Sequence, residues 1–430
     1  MVMFLANSLN WISANLVHEP AAVMSRKVMT SHRTRFQASC PQPITPTMLH
    51  LISKLGFAPI LTASALLSAG TALPVLAQAM SNAAPEKIVW SDIRQFGVEG
   101  RGWTNTQSFY DRLPAKAEGV VRQPVWDLAR NSAGMCVRFV TDATTIRARW
   151  ALTESWLYLP NMTAIGKSGL DLYVKTETGW RWLAVGQPSA QSNAVKLVEN
   201  LRPGKREYLL YLPLYNGTKF VELGIAPTNV IEKAPAWGAG ERKPMVFYGT
   251  SILQGASASR PGMVHSAMLQ RKFNWPVINL GFSGNGKMEP EMAALLAELD
   301  PSVYVLDCLP NMVASEIKER VEPFVKTLRA AHPDVPIVLV EDRTLQDSFL
   351  IAGRMEWYHL KDRAELKAAY AGLQKDGVKN LFYIPGEHLL GDDGEGSTDG
   401  SHPNDLGFMR QTEIFAKVLE PLLVPAEKQK

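Results

Sequence analysis

The sequence predicts an α/β fold, a doubly wound parallel sheet, preceded by a β-sandwich domain of jelly-roll type. Two rhythms carry that prediction. From about Ile88 to Glu232 the apolar residues recur at every second position in short runs, with no long helical pattern among them. From Met245 onward short apolar runs alternate with helical patterns, as in a sheet whose parallel strands are joined by helices. Between the two halves, residues 232–243 (EKAPAWGAGERK) are rich in Pro, Gly and charge and read as a linker.

In chain order, the first element belongs to export rather than to the fold. Residues 56–77 (GFAPILTASALLSAGTALPVLA) carry no charge, follow Lys54 and end in Ala77-Gln78-Ala79, the order of features in a cleaved signal peptide. Pro59, Pro74 and two glycines make the stretch a poor permanent span. We expect cleavage near Ala79, a true start at Met48, and a secreted or periplasmic mature protein without stable membrane association. Of the 45 basic residues, five (Arg26, Lys27, Arg33, Arg35, Lys54) precede Met80, as does one of the 41 acidic ones, Glu19. The net charge of +4 therefore belongs to the leader, and 40 bases face 40 acids in the remainder, which removes the electrostatic case for a nucleic-acid partner. Three cysteines exclude a disulfide-stapled miniprotein and a four-thiolate zinc site; Cys136 and Cys308 remain after cleavage, and the sequence leaves their pairing open.

The sandwich is expected over residues 86–234. In residues 145–152 Ile146, Ala148, Trp150 and Leu152 share one face while Arg147 and Arg149 share the other, which is a half-buried strand. Similar runs occupy 135–140, 170–174, 180–185, 208–212 and 220–225. Eight tryptophans fall in or beside this half, and most are expected to pack in its core. The second domain is expected over 243–426, with strands at 245–248, 277–280, 303–307, 337–340 and 381–384. Its helices are expected at 263–273, 290–299, 313–331, 361–374 and 406–423.

Two short segments carry the chemistry. Ser251 follows the first strand of the second half in Tyr248-Gly249-Thr250-Ser251-Ile252-Leu253, where open α/β sheets bind ligands; Leu253 breaks the Gly-x-Ser-x-Gly pattern of a nucleophile elbow. Near the end, Asp399-Gly400-Ser401-His402 sets a carboxylate and an imidazole three residues apart on a loop before the last helix, able to present the ring to a serine.

These residues resemble the SGNH/GDSL hydrolases. Gly249-Thr250-Ser251 resembles the family's first block with Thr250 for the usual Asp. Asn279-Leu280-Gly281-Phe282-Ser283-Gly284-Asn285 resembles the second, and Asp399-Gly400-Ser401-His402 the fifth. Leu306 to Asn311 stands at the third, with Leu309 for the usual Gly and Met312 for the usual Asp. Gly169-Leu170-Asp171-Leu172-Tyr173 resembles the signature of an N-terminal domain fused to some of these enzymes. The resemblance implies Ser251 as nucleophile, His402 as base and Asp399 as its orienting acid. It also implies an oxyanion hole made by the Ser251 and Gly284 amides and Asn311, with no cofactor or metal.

Together with export and the sandwich, it leads us to expect a serine esterase removing acyl groups, chiefly acetyl, from carbohydrates. The alternatives are a lipid esterase, lysophospholipase or thioesterase on the same triad, and a non-catalytic carbohydrate-binding protein. Oligomeric state is left open. Arg260 is a candidate substrate-binding residue or a surface arginine. The acidic run Asp392, Asp393, Glu395 and Asp399 lacks EF-hand spacing and is read as a solvated loop. The aromatic loop 154–167 either reaches over the site or packs between the domains.

Overall fold

The computed structural model describes residues 87–238 and 242–423. The leader, with Met48 and the cleavage point, lies outside the described residues, as do residues 424–426 of the second domain.

Strands β1 (Val89–Asp92), β2 (Val98–Glu99), β3 (Cys136–Thr141), β4 (Ile146–Leu152), β5 (Leu170–Thr176), β6 (Gly179–Gly186), β7 (Ser192–Val198), β8 (Arg206–Tyr211), β9 (Thr218–Ile225) and β10 (Ile231–Lys233) make two antiparallel sheets. Their orders are β1-β9-β4-β7 and β10-β3-β8-β5-β6, with β2 beside β3. The predicted alternation holds in β4: Ile146, Ala148, Trp150 and Leu152 are buried, whereas Arg147 and Arg149 are half-buried. Those residues and Val221, Leu223 and Ile225 from one sheet meet Val137, Phe139, Leu170, Leu172, Tyr208 and Leu210 from the other in a single apolar core. Strand β7 went unpredicted because it is an edge strand with two of seven residues buried, so its polar SNAVKLV pattern carries little apolar signal.

The segment read as a linker begins inside the sandwich. Glu232 and Lys233 pair with Val140 and Phe139, and Trp237 is buried under the Arg138 guanidinium, 3.9 Å from the ring centroid, with its Nε1 donating to Glu99. Packing of one tryptophan overrides the Pro and Gly composition.

The second half follows the predicted alternation. Strands β11 (Met245–Gly249), β12 (Val277–Gly281), β13 (Val303–Asp307), β14 (Ile337–Val340) and β15 (Leu381–Ile384) are all parallel in the order β12-β11-β13-β14-β15. Short helices α1 (Gln123–Ala129) and α2 (Ala164–Ser168) lie in the first half. The second contributes α3 (Ser251–Gln254), α4 (His265–Phe273), α5 (Pro290–Leu296), α6 (Ala314–Ala331), α7 (Lys361–Lys375) and α8 (Asp405–Leu423). Alternate residues of β11 divide the layers: Met245 and Phe247 face α4 and α8, whereas Val246 and Tyr248 face α5, α6 and α7.

That second layer is completed by the N-terminal half. Trp103, Leu113, Val125 and Trp126 pack with Val246, Ile278 and Phe282 in one core. The buried Arg112 guanidinium beside them donates to the carbonyls of Leu128, Asn131, Asn279 and Gly281, at 2.6 to 3.3 Å. Among the described residues no helix is long and apolar enough to cross a membrane. Cys136 and Cys308 are free thiols buried apart from each other, and burial pushes both thiol pKa values up.

Candidate active site

In a parallel sheet of this order the connections leave β11 and its two neighbours in opposite directions, opening a crevice at their carboxyl ends. Ser251, Gly284 and Asn311 all sit there, following β11, β12 and β13. Ser251 is the first residue of α3. Thr250 precedes it in extended conformation, and its side chain accepts the Ile252 N–H, so this threonine fills the helix-capping role open to an aspartate. Phe282 N–H donates to Gly249 O at 2.9 Å and ties the loop after β12 to the nucleophile turn.

The loop before α8 brings His402 to Ser251. Its Nε2 lies 2.9 Å from Ser251 Oγ, and its Nδ1 lies 2.8 Å from Asp399 Oδ2. The other carboxylate oxygen, Asp399 Oδ1, accepts the backbone N–H groups of Ser401 at 3.1 Å and His402 at 2.7 Å. Burial works against the Asp399 charge, but the hydrogen bond from the His402 ring, its Coulomb attraction and the two amides together hold the carboxyl well below the usual range. With Nδ1 donating to that anion, Nε2 is left to accept the serine proton. Asn404 steadies the loop: its amide donates to Glu395 O, and its Oδ1 accepts the Gly407 N–H in the first turn of α8.

Gly284 has φ +69°, and a Cβ built there would meet nothing within 4 Å, so the glycine answers a backbone requirement while the space above it stays open. The side-chain Oδ1 of Asn311 is buried without a hydrogen-bond partner among the described residues. Oδ1 is an acceptor, so in the turn that follows β13 it is the Nδ2 of this amide that would donate to a ligand oxygen. Hydroxyl, imidazole, carboxylate and these amides together can take a proton and shelter a developing oxyanion.

The comparisons with known proteins agree with this geometry. The sequence profile of the GDSL-like lipase/acylhydrolase family matches residues 242–420, and that of the GxDLY N-terminus of SGNH-hydrolase-type esterases matches residues 88–231. A protein from Bacteroides ovatus described as a GDSL-like lipase is 36% identical, with a TM-score of 0.74 over 78% of this chain and 98% of its own. The chain belongs to the GDSL-like lipase/acylhydrolase family. Two more distant structures share the fold. A salicylyl-acyltransferase of a tetracycline biosynthetic pathway is 18% identical, with a TM-score of 0.62 over 78% of this chain and 97% of its own. A family two carbohydrate esterase from Cellvibrio japonicus is 13% identical, with a TM-score of 0.52 over 79% and 98%. None of the curated proteins compared matches the sequence.

In this GDSL-type hydrolase the sandwich contributes to the site, through residues the sequence did not single out. Tyr215 OH donates to Ser251 O at 3.0 Å, and Asn161 Nδ2 lies 3.4 Å from Asp399 Oδ2. Gln254, one helical turn after Ser251 and buried, donates to Asn131 Oδ1 at 3.1 Å and Leu214 O at 3.3 Å, while its Oε1 accepts the Ser283 N–H at 3.0 Å. The loop carrying Gly284 is thus fixed to the nucleophile helix and to the sandwich by one side chain. Position three after the serine was the available signal for Gln254; no local pattern marks Tyr215 or Asn131.

Arg260, a candidate for substrate contact, has its guanidinium on Asp171 at 2.9 Å and on Tyr173 OH, stacked near Trp182. Asp171 also accepts the Gly262 N–H at 2.8 Å. The Gly-x-Asp-Leu-Tyr signature therefore clamps the segment after the nucleophile helix to the sandwich. In the acidic loop Asp393 pairs with Arg410 at 2.6 Å and Asp392 with His388 at 2.8 Å. Loop 154–167, expected either to reach over the site or to pack between the domains, packs: Met162 shares a core with Ile252 and Phe408, and at the loop's tip Asn161 touches Asp399.

Proposed function

We propose that this protein is an exported serine esterase that removes O-acyl groups, chiefly acetyl, from carbohydrates. The observation that carries the reading is the continuous relay Ser251 Oγ, His402 Nε2 and Nδ1, Asp399 Oδ2 beside the open Gly284 backbone. In this reading Ser251 attacks the ester carbonyl as His402 takes its proton. The tetrahedral oxyanion is met by the Ser251 and Gly284 amides and the Asn311 side chain, each such donor being worth about 3 kcal/mol. Collapse expels the sugar hydroxyl, protonated by His402, and leaves an acyl-serine; water activated by the same imidazole then releases the acid. Asp399 holds the tautomer throughout. The choice of carbohydrate rests on the leader, the neutral mature composition and the sandwich, and by analogy on the carbohydrate esterase of the same fold.

A second reading, a lipid or long-chain acyl esterase, is favoured by one feature. Phe349, Leu350 and Trp357 are highly exposed in a segment whose Gln346 N–H donates to Gly400 O in the His402 loop. Acetate release from acetylated xylan, xyloglucan, mannan and pectin, with Ser251→Ala as the blank, tests the first reading. Nitrophenyl octanoate turned over as well as or better than nitrophenyl acetate would replace it by the second, and full function in Ser251→Ala would remove both.

A further inference from the structure

Four of the tryptophans in the first half, Trp103, Trp126, Trp150 and Trp237, are buried in packing. Trp156 is 58% exposed, and with Tyr158, 53% exposed, it forms a ring pair with centroids 5.0 Å apart and planes 35° from parallel. A ring pair exposed to this extent leaves aromatic faces available to a ligand.

The loop that presents them is held at both ends. Asn216 accepts the Glu154 N–H at 3.1 Å and donates to Glu154 O at 3.2 Å. The buried Lys167 ammonium donates to Glu154 Oε2 at 3.0 Å and to the Trp156 carbonyl. Leu159 and Met162 exchange both backbone hydrogen bonds at 3.0 Å, closing a tight hairpin. Met162 lies in the core that contains Ile252, and a Cβ at Gly166 would stand 2.4 Å from Ala258 O, so the loop is seated on the nucleophile side of the hydrolase. Asn161 at the hairpin tip meets Asp399. Asn161 is three positions after Tyr158, and a fully extended chain covers at most about 10 Å in that distance. The ring pair is therefore rigid, exposed and within a short oligosaccharide's reach of the relay.

We propose that Trp156 and Tyr158 are a stacking subsite for a sugar ring of the substrate next to the acylated one, an inference that rests on the carbohydrate-esterase reading. A pyranose offers a C–H face to an aromatic ring and hydroxyls to accessible polar neighbours, here Glu154 and Asn161. A lipid would favour a continuous apolar surface, and the exposed apolar residues of that kind lie in a different segment, at Phe349, Leu350 and Ile351.

The test compares full-length wild type, Trp156→Ala, Tyr158→Ala, the double variant and Trp156→Phe on acetylated xylohexaose, mannohexaose and cellohexaose, and on nitrophenyl acetate, which has no second sugar to stack. The double variant should lower the ratio of kcat/KM for the preferred hexaose to that for nitrophenyl acetate by about 10-fold, through KM, and Trp156→Phe should restore much of it. An unchanged ratio with hexaose turnover intact would overturn the subsite and leave the carbohydrate reading standing. Turnover of nitrophenyl acetate by wild type without turnover of any hexaose would overturn both.

Discussion

Gln254→Leu removes a side chain that joins the helix beginning at Ser251, the Gly284 loop and the sandwich. Leucine matches the buried volume closely but makes none of the three hydrogen bonds. The substitution strands Asn131 Oδ1 and Leu214 O, both in buried residues, and releases the Ser283 N–H, which is partly accessible to water. Two stranded acceptors at about 1–3 kcal/mol each give a stability loss of about 2–6 kcal/mol. The catalytic effect has a separate origin. Ser283 precedes Gly284, so freeing its amide should loosen the backbone donor proposed for the oxyanion, and complete loss of such a donor lowers kcat about 10²–10³-fold. Partial loosening should lower kcat about 10- to 100-fold with KM changed less than about twofold, the pattern of an interaction made in the transition state.

Urea denaturation gives the first quantity and nitrophenyl acetate kinetics well below the melting transition give the second. The control is Leu223→Ala in the sandwich core, which should cost about 2–5 kcal/mol through a cavity and leave kcat near wild type. If Gln254→Leu and Leu223→Ala lose stability equally and both keep full kcat, the side chain does not position the loop.

Three further outcomes follow from the same contacts. Asp399→Asn should lower kcat by about 10³–10⁴-fold. Because the fold lowers this carboxyl's pKa, its contribution to stability is complete above the unfolded value of about 3.9 and is lost as pH falls through the folded value, so the variant should show a flatter acid limb in urea titrations; an unchanged limb would contradict this. His265 is fully buried against Phe247, Phe408 and Phe415, neither ring nitrogen has a hydrogen-bond partner among the described residues, and the facing acid, Asp307 at 3.9 Å from Nε2, is itself paired with Arg343; burial with the Arg343 charge holds the His265 pKa well below the usual value. The unfolded chain takes up that proton first, so below about pH 6.5 this residue should cost about 1.4 kcal/mol of stability per pH unit, and His265→Met should remove that slope. Asp171→Ala should lower stability by about 3 kcal/mol by leaving Arg260 without its carboxylate partner and the Gly262 amide without its acceptor, measured by urea denaturation; Asp171→Asn, which keeps an acceptor, should recover part of it, and equal losses in the two would place the effect elsewhere.

The parts of the fold that the sequence made legible are those in which burial is regular. Strands β13, β14 and β15 have the bounds expected for them: β13 and β14 lie inside the sheet and are buried along their whole length, so they are apolar runs apart from the terminal Asp307, and β15, though an edge strand with Phe382 and Tyr383 half-buried, is still a short apolar run. Residues 103–129 carry no such pattern. They cover the sheet through separated side chains, Trp103, Leu113 and Trp126, and through Arg112, whose four carbonyl partners come from both halves of the chain. The relay was legible because Asp399 and His402 are close in sequence and Ser251 follows a clear strand. Arg260 was ambiguous for the opposite reason: its partner Asp171 is 89 residues away, and nothing local indicates which way a guanidinium near the nucleophile will turn.

These contacts bear on why the two halves share one chain. A hydrolase with a separate binding module would need only a surface between them. Here Tyr215 meets the nucleophile's carbonyl, Asn131 holds Gln254, Asn161 meets the acid of the relay, and the Asp171 clamp secures the backbone at Gly262. Each contact reaches a different segment of the site, and each is supplied by a connection or strand of the sandwich rather than by its core. Substitution inside the sandwich core should therefore change stability alone, whereas substitution at these four positions should also change the rate or the bound substrate. On the proposed reading the sandwich is a wall of the candidate active site, and the Trp156 and Tyr158 loop is the part of that wall left open to a ligand.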